Sequence, residues 1–246
     1  MPSSKSTPVI DFSDFLSGDE QRMQYCADKI RDACLTQGFF QIVNHDIPAS
    51  LQKDIFKASK AFFALPLEEK MKLDKSLNKY NRGYEVMHGQ MIEANTRPDL
   101  KEGYYISRMG AHRDFGVITL LLQGDVAGLE VWDDEVRDWY PVPPVEGAYV
   151  VNLGNLFEQW TNDKYISNVH RVINRSGEER YSISFNYNGN PDFVVKCIEK
   201  CRSKPEEEKY APVSVEYYVV QKYKDAYGRV GIYKSESFAP QRPTLA

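Results

Sequence analysis

Three residues of this sequence have the types and the spacing of a metal site: His112, Asp114 and His170. One residue separates His112 from Asp114, so on an extended segment their side chains leave the same face and can reach one ion. Imidazole nitrogen and carboxylate oxygen are the ligand types of a non-haem iron(II) centre, which needs a second histidine. His170 is the candidate because it stands in another strand-like segment, whereas His45 and His88 lie in less suitable surroundings. An H-x-D pair with a later histidine is weak evidence by itself, since most histidines are structural.

Arg180 and Ser182 form a second pair with a spacing of two residues on a predicted strand. Their side chains therefore point to one side, where a guanidinium and a hydroxyl can hold a carboxylate through charge-assisted bonds. A small dicarboxylic acid would fit such a clamp. Without its surroundings, the same pair would be read as a surface arginine on an edge strand.

The segments that carry these residues have the composition of short strands from Gly110 onward. They are rich in β-branched and aromatic residues, and Gly, Pro, Asn and Asp separate them. Such spacing predicts a β-sandwich or jelly roll. The predicted strands are Val117–Leu122, Leu129–Trp132, Ala148–Leu153, Asn168–Ile173 and Arg180–Tyr187.

The first third of the chain is mixed, and the fold class predicted for the whole is α+β. Strands are predicted at Val9–Phe12 and Phe39–Val43. Helices are predicted from Asp19 to about Gln37, where Gly38 follows as a stop signal, and from about Ser50 to Ala64. A final amphipathic helix is predicted from about Val213 to Tyr227.

Charge and hydropathy exclude several classes of function. The 31 basic and 35 acidic residues among 246 give a formal net charge of −4. No run of Lys and Arg interleaves with aromatic residues as a nucleic-acid groove requires, so we expect no nucleic-acid partner. No uncharged apolar run is long enough to span a bilayer, and a cytoplasmic location is expected. The oligomeric state has no signal in the sequence.

A longer set of motifs surrounds the candidate residues and closely resembles the isopenicillin-N-synthase-like family of iron(II) and 2-oxoglutarate dependent dioxygenases. In the second half these are Gly110-Ala-His112-Arg-Asp114-Phe-Gly116, Gly128-Leu-Glu-Val131, Val151-Asn-Leu-Gly154-Asn, His170-Arg-Val172 and Arg180-Tyr-Ser182. Upstream, they are Pro8-Val-Ile-Asp11-Phe, Val43-Asn-His45-Asp-Ile-Pro48, Asn81-Arg-Gly83-Tyr84 and Lys101-Glu-Gly103-Tyr104.

This resemblance implies that His112, Asp114 and His170 bind Fe(II), and that Arg180 and Ser182 hold the far carboxylate of 2-oxoglutarate. Dioxygen is the second co-substrate. The expected reaction is hydroxylation or desaturation of a small organic molecule, with release of succinate and CO2. The protein would orient the substrate and shield the oxidant. The sequence does not name the substrate.

The resemblance also implies an architecture, a double-stranded β-helix (jelly-roll) core with flanking N-terminal and C-terminal helices. We expect an N-terminal α/β region at 1–107 and a jelly-roll region at 108–246. Arg113, between two candidate ligands, should point away from the metal by strand alternation. Phe185 and Tyr187 are expected to be core residues rather than pocket residues.

Two alternatives stay open. A cupin-type metal enzyme that does not use 2-oxoglutarate is the first, and Arg180 with Ser182 argues against it. The second is an incomplete, catalytically impaired or non-catalytic relative. Only Arg108 to Ala111 separate Ser107 from His112, whereas the family has a helix and a strand there, including a tyrosine for the co-substrate. This shortening predicts an incomplete fold with an unpaired sheet edge, a more open site, and weak or absent turnover.

Overall fold

The structure, a computed structural model, describes residues 5–77, 83–86, 102–105, 112–202, 204, 207–222 and 224. The short link from Arg108 to Ala111 lies outside these residues, as do His88, Asn81, Arg82 and Lys101. The strands and helices are, in chain order, β1 (Val9–Asp11), α1 (Ser13–Leu16), α2 (Glu20–Thr36), β2 (Phe39–Val43), α3 (Ala49–Phe63), α4 (Leu67–Met71), β3 (Gly83–Glu85), β4 (Gly103–Tyr105), β5 (Ile118–Gln123), β6 (Leu129–Asp133), β7 (Asp138–Pro141), β8 (Tyr149–Leu153), α5 (Asn155–Trp160), β9 (His170–Val172), β10 (Ser182–Tyr187), β11 (Val194–Val195), β12 (Val213–Ser214) and α6 (215–222).

Two sheets make the centre of the fold. The larger one has five strands in the order β1-β2-β8-β5-β10, and the smaller one has three in the order β7-β6-β9. Only β1 and β2 pair in parallel within the larger sheet. Because β1 and β2 come from the N-terminal third, the predicted regions 1–107 and 108–246 share one sheet. A boundary at 107 stays a prediction.

The two sheets face each other across an apolar layer. Phe39, Leu121 and Val150 come from the larger sheet, and Leu129 and Val131 come from the smaller one. All five side chains are buried. Alternation along each strand sends these residues inward and their neighbours outward. The result is the jelly-roll arrangement predicted from the strand pattern.

Helix α2 covers the outer face of the larger sheet. Its cysteines and alanine at positions 26, 33 and 34 pack against Ile10, Phe40 and Val151. Asp19 accepts a hydrogen bond from the backbone N–H of Arg22 at 2.9 Å and so caps the first turn. The helix ends at Thr36, and Gly38 follows the capping residue with a φ of +65° that suits glycine and an N–H that donates to the Ala33 carbonyl. The predicted stop at Gly38 is confirmed.

The C-terminal helix begins later than predicted. Val213 and Ser214 form β12, which pairs with β11, and α6 then runs from 215 to 222. Val215 packs against Leu156 of α5 and Val195 of β11. The strand at 213–214 forms because β11 offers it a backbone partner, which the helical periodicity of the sequence does not show.

Strand β10 is an edge strand in the part of the chain that the structure describes, with β5 as its one neighbour. Phe185 and Tyr187 of β10 are 57% and 51% exposed, so the expectation that they are core residues is wrong. They point to the sheet face opposite Ser182 and Asn186. The unpaired edge expected from the shortened link stays a prediction.

A buried ion pair fastens the β3-β4 hairpin to α4. Lys70, 7% exposed, donates to the Glu102 carboxylate at 2.8 Å and to the Phe63 carbonyl at 3.1 Å. The Tyr84 hydroxyl donates to the same Glu102 oxygen at 2.5 Å. The pKa of Tyr84 is raised well above its usual value, mainly by burial and secondly by this hydrogen bond. These residues belong to the upstream motifs, which therefore have a packing role here.

None of the helices in the described ranges combines the length and apolar character needed to cross a membrane.

Replacing Glu102 by leucine should lower the free energy of unfolding by about 2 kcal/mol, because Lys70 would keep a buried charge without its partner. Denaturant unfolding of the full chain measures this change. Glu135→Leu is the matched control, since Glu135 is an exposed carboxylate paired with Lys5, and its change should stay within about 0.5 kcal/mol. Equal changes in the two variants would show that the Lys70–Glu102 pair stabilises the fold no more than the exposed Lys5–Glu135 pair does.

Candidate metal centre

The two candidate histidines are joined through their backbones. The His112 N–H donates to the His170 carbonyl at 2.9 Å, and the His170 N–H donates back to the His112 carbonyl at 3.0 Å. This antiparallel bridge places both side chains on one face, with ring centroids 4.4 Å apart. The smaller sheet thereby gains a short extension at the edge of β9.

Asp114 completes the group from a loop rather than from a strand. Its Oδ1 lies 3.0 Å from Nε2 of His112 and 3.8 Å from Nε2 of His170. The side chains of His112, Asp114 and His170 are only 6%, 4% and 2% exposed. His112 lies in a β-bridge, whereas Asp114 lies outside the strands, where the chain passes toward α5.

This part of the chain is fixed by the start of α5. The Asn155 N–H donates to the Asp114 carbonyl at 2.7 Å, and the Leu156 N–H donates to the Gly116 carbonyl at 3.1 Å. These bonds use N–H groups that the first turn of a helix leaves without partners. A Cβ on Gly154 would collide with the Gly116 carbonyl. Glycine at 154 thus allows the loop carrying Asp114 to lie directly against α5.

The second oxygen of Asp114 is held by the protein. Asn152 on β8 donates to Oδ2 at 2.7 Å, and the Thr119 hydroxyl on β5 also donates to it. Thr119 in turn accepts from the Asn186 amide on β10 at 3.2 Å. Oδ1 is left facing the two histidines. Hydrogen bonds to the oxygen that does not face the cation orient the carboxylate of a metal ligand.

His170 is oriented by a carbonyl and an aromatic ring. Its Nδ1 lies 3.2 Å from the Asn168 carbonyl, which can only accept, so Nδ1 carries the proton and Nε2 keeps its lone pair. The buried ring of Phe39 contacts the imidazole edge-on at 5.0 Å between centroids. The pKa of His170 is lowered to about 4, mainly because the ring is buried and secondly because His112 is near. The ring is therefore neutral at pH 7, as metal binding requires.

Asp114 is ionised in the same range. Burial works to raise its pKa, but the His112 hydrogen bond, the two imidazoles and the Asn152 amide outweigh burial and lower the pKa well below its usual value. One carboxylate beside two imidazoles is the donor set of a 2-His-1-carboxylate site.

The geometry of the three side chains fits one cation. Their nearest donor atoms all lie within 4.8 Å of one another. With bonds of about 2.1 Å, two neighbouring octahedral ligands stand roughly 3 Å apart. The distance of 3.0 Å between His112 Nε2 and Asp114 Oδ1 meets this value, and His170 Nε2 lies 3.8 Å from the same oxygen.

Arg180 and Ser182 also come together, next to Gln123 of β5. Nη1 of Arg180 donates to Ser182 Oγ at 3.1 Å, and Nη2 donates to Gln123 Oε1 at 3.0 Å. Burial lowers the pKa of Arg180 from its usual value. The arginine stem passes Gly128, where a Cβ would stand 3.3 Å from Arg180 Cδ.

The clamp and the metal group share one face of the larger sheet. In the β5-β10 register, Asn186 is opposite Thr119 and Ser182 is opposite Gln123. Leu121, between Thr119 and Gln123 on the same side of β5, is in the layer between the two sheets. Both groups therefore face the interior of the jelly roll. Ser182 is exposed and the metal group is buried, so the clamp lies nearer to solvent.

Arg113 and His45, which the sequence does not assign to the metal site, contact other parts of the protein. Arg113 turns away from the metal group, as predicted, and pairs with Glu158 of α5 at 3.1 Å. Glu158 also accepts from the Ser167 N–H at 3.1 Å, so this pair ties the His112 and His170 segments together. Nε2 of His45 lies 2.7 Å from the Gly147 carbonyl, and His45 is not part of the metal group.

Sequence reasoning assigned no role to Thr119, Asn152, Asn186 or Gln123. A signal was present for three of them, because Thr119, Gln123 and Asn152 are polar residues within the apolar strand runs Ile-Thr-Leu-Leu-Leu-Gln and Val-Val-Asn-Leu. A polar side chain at such a position needs a buried partner. Which partner it finds depends on strand register, which these runs do not reveal.

Two family descriptions match the chain. Residues 7–119 match "non-haem dioxygenase in morphine synthesis N-terminal", and residues 77–189 match "2OG-Fe(II) oxygenase superfamily". The two matches overlap over 77–119, which contains the predicted shortening.

Similar proteins share nearly the whole chain. The 2-oxoglutarate-Fe(II) type oxidoreductase hxnY of Emericella nidulans is 38% identical, with 93% of each chain covered. A 2-oxoglutarate-Fe(II) type oxidoreductase of Aspergillus fumigatus is 31% identical, covering 93% of this chain and 96% of its own. Among solved structures, full-length Neurospora crassa T7H in complex with alpha-KG and thymine has a TM-score of 0.76 at 22% identity, covering 92% and 98%. That similarity establishes the double-stranded β-helix fold.

The alignment to the Emericella protein is also longer than the matched part of this chain. The match to the Emericella protein spans 323 positions, whereas 93% of 246 residues is about 229. Roughly 90 positions of that relative therefore have no counterpart here. This supports the inference that an internal segment of the family is missing.

Asn152→Leu should weaken metal binding about 10- to 100-fold without abolishing it, because Asp114 would lose one of the two bonds that orient its carboxylate. Titration of the purified protein with Fe(II) under anaerobic conditions measures the affinity. Asn190→Leu, at an exposed asparagine in the loop after β10, serves as the control and should bind like the parent. An unchanged affinity in Asn152→Leu would mean that Thr119 alone suffices.

Proposed function

This chain belongs to the 2OG-Fe(II) oxygenase superfamily, and we propose that it oxidises a small organic molecule at a site built from His112, Asp114 and His170. Fe(II) and 2-oxoglutarate are the cofactor and co-substrate of such oxidation, together with dioxygen. The observation that carries the proposal is the buried group of two imidazoles and one carboxylate whose donor atoms lie within 4.8 Å of one another. Hydroxylation and desaturation are both outcomes of this chemistry.

The metal would be held by Nε2 of the two histidines and Oδ1 of Asp114. When bound, Fe(II) supplies the coupling of dioxygen reduction to the oxidation of 2-oxoglutarate to succinate and CO2. The chain itself contributes orientation. The backbone bridge fixes the two imidazoles, and Thr119 with Asn152 fixes the carboxylate. Near-complete burial of the three side chains keeps competing water away from the ligands.

The co-substrate would be recognised through its far carboxylate by Arg180 and Ser182. Nη1 of Arg180 and Oγ of Ser182 are already within hydrogen-bond distance of each other, so one carboxylate can contact both. No acidic side chain pairs with Arg180 among the described residues, which leaves its charge for an anion. This favours the oxygenase over a cupin-type enzyme that does not use 2-oxoglutarate.

The substrate itself is proposed only as a small organic molecule, with no nucleic acid and no membrane as partner. A cytoplasmic location stays a prediction from the sequence. The oligomeric state has no support in either direction.

A second candidate is a relative that binds metal and co-substrate but turns over weakly. The gap of roughly 90 positions against the Emericella relative, inferred from 323 aligned positions and 93% coverage, favours it. The exposed edge of β10 and the exposed Ser182 favour it as well. In this reading the missing segment normally closes the co-substrate end of the site, and its tyrosine has no counterpart here.

His112→Ala, Asp114→Ala and His170→Ala should each abolish stoichiometric Fe(II) binding, because a three-ligand site has no donor to spare. Metal analysis of the purified variants measures this, and succinate formation from 2-oxoglutarate by the parent tests the activity. His45→Ala is the control and should retain its iron.

Unchanged iron content in all three variants would refute the metal assignment. Succinate formation at the rate of a full-length relative would exclude the second candidate. Iron binding without succinate formation would support the second candidate and refute the first.

Arg180→Lys should weaken 2-oxoglutarate binding about tenfold while iron binding persists, because lysine keeps the charge but loses the planar fork. Anaerobic calorimetry on the iron-loaded protein measures both affinities. Arg31→Lys, at an exposed arginine on α2, should change neither. The same co-substrate affinity in parent and Arg180→Lys would place the clamp elsewhere.

A further inference from the structure

We propose that Gln123 is a positioning residue for co-substrate recognition, acting through Arg180. This inference rests on the proposed function of the Arg180 clamp. Gln123 is the last residue of β5 and lies opposite Ser182 in the strand register. It is therefore on the same sheet face as the clamp and one strand away from it.

The carboxamide of Gln123 is fixed at both ends. Its Oε1 accepts from Nη2 of Arg180 at 3.0 Å, and its Nε2 donates to the Val142 carbonyl at 3.3 Å. Arginine can only donate and a carbonyl can only accept, so the orientation of the amide has a single solution. Val142 is itself fully buried beside β6. The glutamine thus connects the guanidinium to the layer between the two sheets.

Arg180 has donors left over. Nη1 and Nη2 each give one of their two N–H groups to a neutral partner, Ser182 or Gln123, so each keeps a second N–H for a ligand. The buried Nε has no hydrogen-bond partner in the described part of the chain. A half-buried guanidinium with neutral neighbours and an unused N–H is costly unless an anion joins it. The arrangement is complete only with a carboxylate present.

A neutral acceptor suits this role, and an acidic one would not. Gln123 holds the planar fork in place and leaves its full positive charge for the ligand. A glutamate at 123 would accept the same hydrogen bond but would neutralise Arg180 and compete with the bound carboxylate.

The test compares two metal chelators on the full-length, iron-loaded protein without oxygen. 2-Oxoglutarate has a far carboxylate for Arg180, and oxalate has none. In Gln123→Leu, we expect the Kd for 2-oxoglutarate to rise about tenfold while the Kd for oxalate stays unchanged. In Gln123→Glu, we expect an equal or larger rise for 2-oxoglutarate, again with no change for oxalate. Gln21→Leu, at an exposed glutamine on α2, should bind both ligands like the parent.

Several results would overturn the proposal. One is unchanged 2-oxoglutarate affinity in Gln123→Leu, and another is parent-like affinity in Gln123→Glu. Equal weakening of oxalate and 2-oxoglutarate would reveal a general effect on the metal group instead. If Gln123→Leu fails to fold by circular dichroism, Gln123→Glu and Gln123→Met decide by the same comparison. Failure of the parent to bind 2-oxoglutarate would refute the proposed function itself, which a change confined to the variants would not.

Discussion

Two backbone hydrogen bonds between His112 and His170 are the interaction on which the site depends. They join segments that are distant in sequence, and they place two imidazoles on one side of the smaller sheet with their rings 4.4 Å apart. The turn after His112 then brings Asp114 against α5, and the Arg113–Glu158 pair secures both segments from the outside. His170 is held independently by the β6–β9 pairing, Asn168 and Phe39, and the bridge is what brings His112 to it.

The sequence predicted the regular elements best where composition and periodicity agree. Helix α2, strand β2 and strand β6 lie within about one residue of their predicted bounds, because β-branched runs and a glycine stop mark them. Strand β7 was missed, since Asp138-Trp-Tyr-Pro has no alternation to distinguish it from a loop. Helix α5 was missed because six residues are too few to show helical periodicity. Both elements owe their conformation to tertiary partners.

The sequence predicted the ligand and clamp residues of the candidate site, but not the side chains that hydrogen-bond to them. The H-x-D spacing, the later histidine and the Arg-x-Ser pair identified the five residues that the structure gathers on the inner face. The hydrogen bonds from Thr119, Asn152 and Gln123 depend on the register of β5 with β8 and β10. A one-residue shift would send each of these side chains to the opposite face. Register is a property of the folded sheet, so a single sequence gives little access to it.

The two oxygens of Asp114 have separate partners, and this sets the denticity of the carboxylate. Oδ2 is saturated by Thr119 and Asn152, so Asp114 can offer a cation only Oδ1. Together with two imidazoles, a carboxylate that offers one oxygen would give a cation three protein donors. A cation held in this way would keep positions for a chelating 2-oxo acid and for dioxygen. The hydroxyl and amide that never approach the cation thus determine how many exchangeable positions it has.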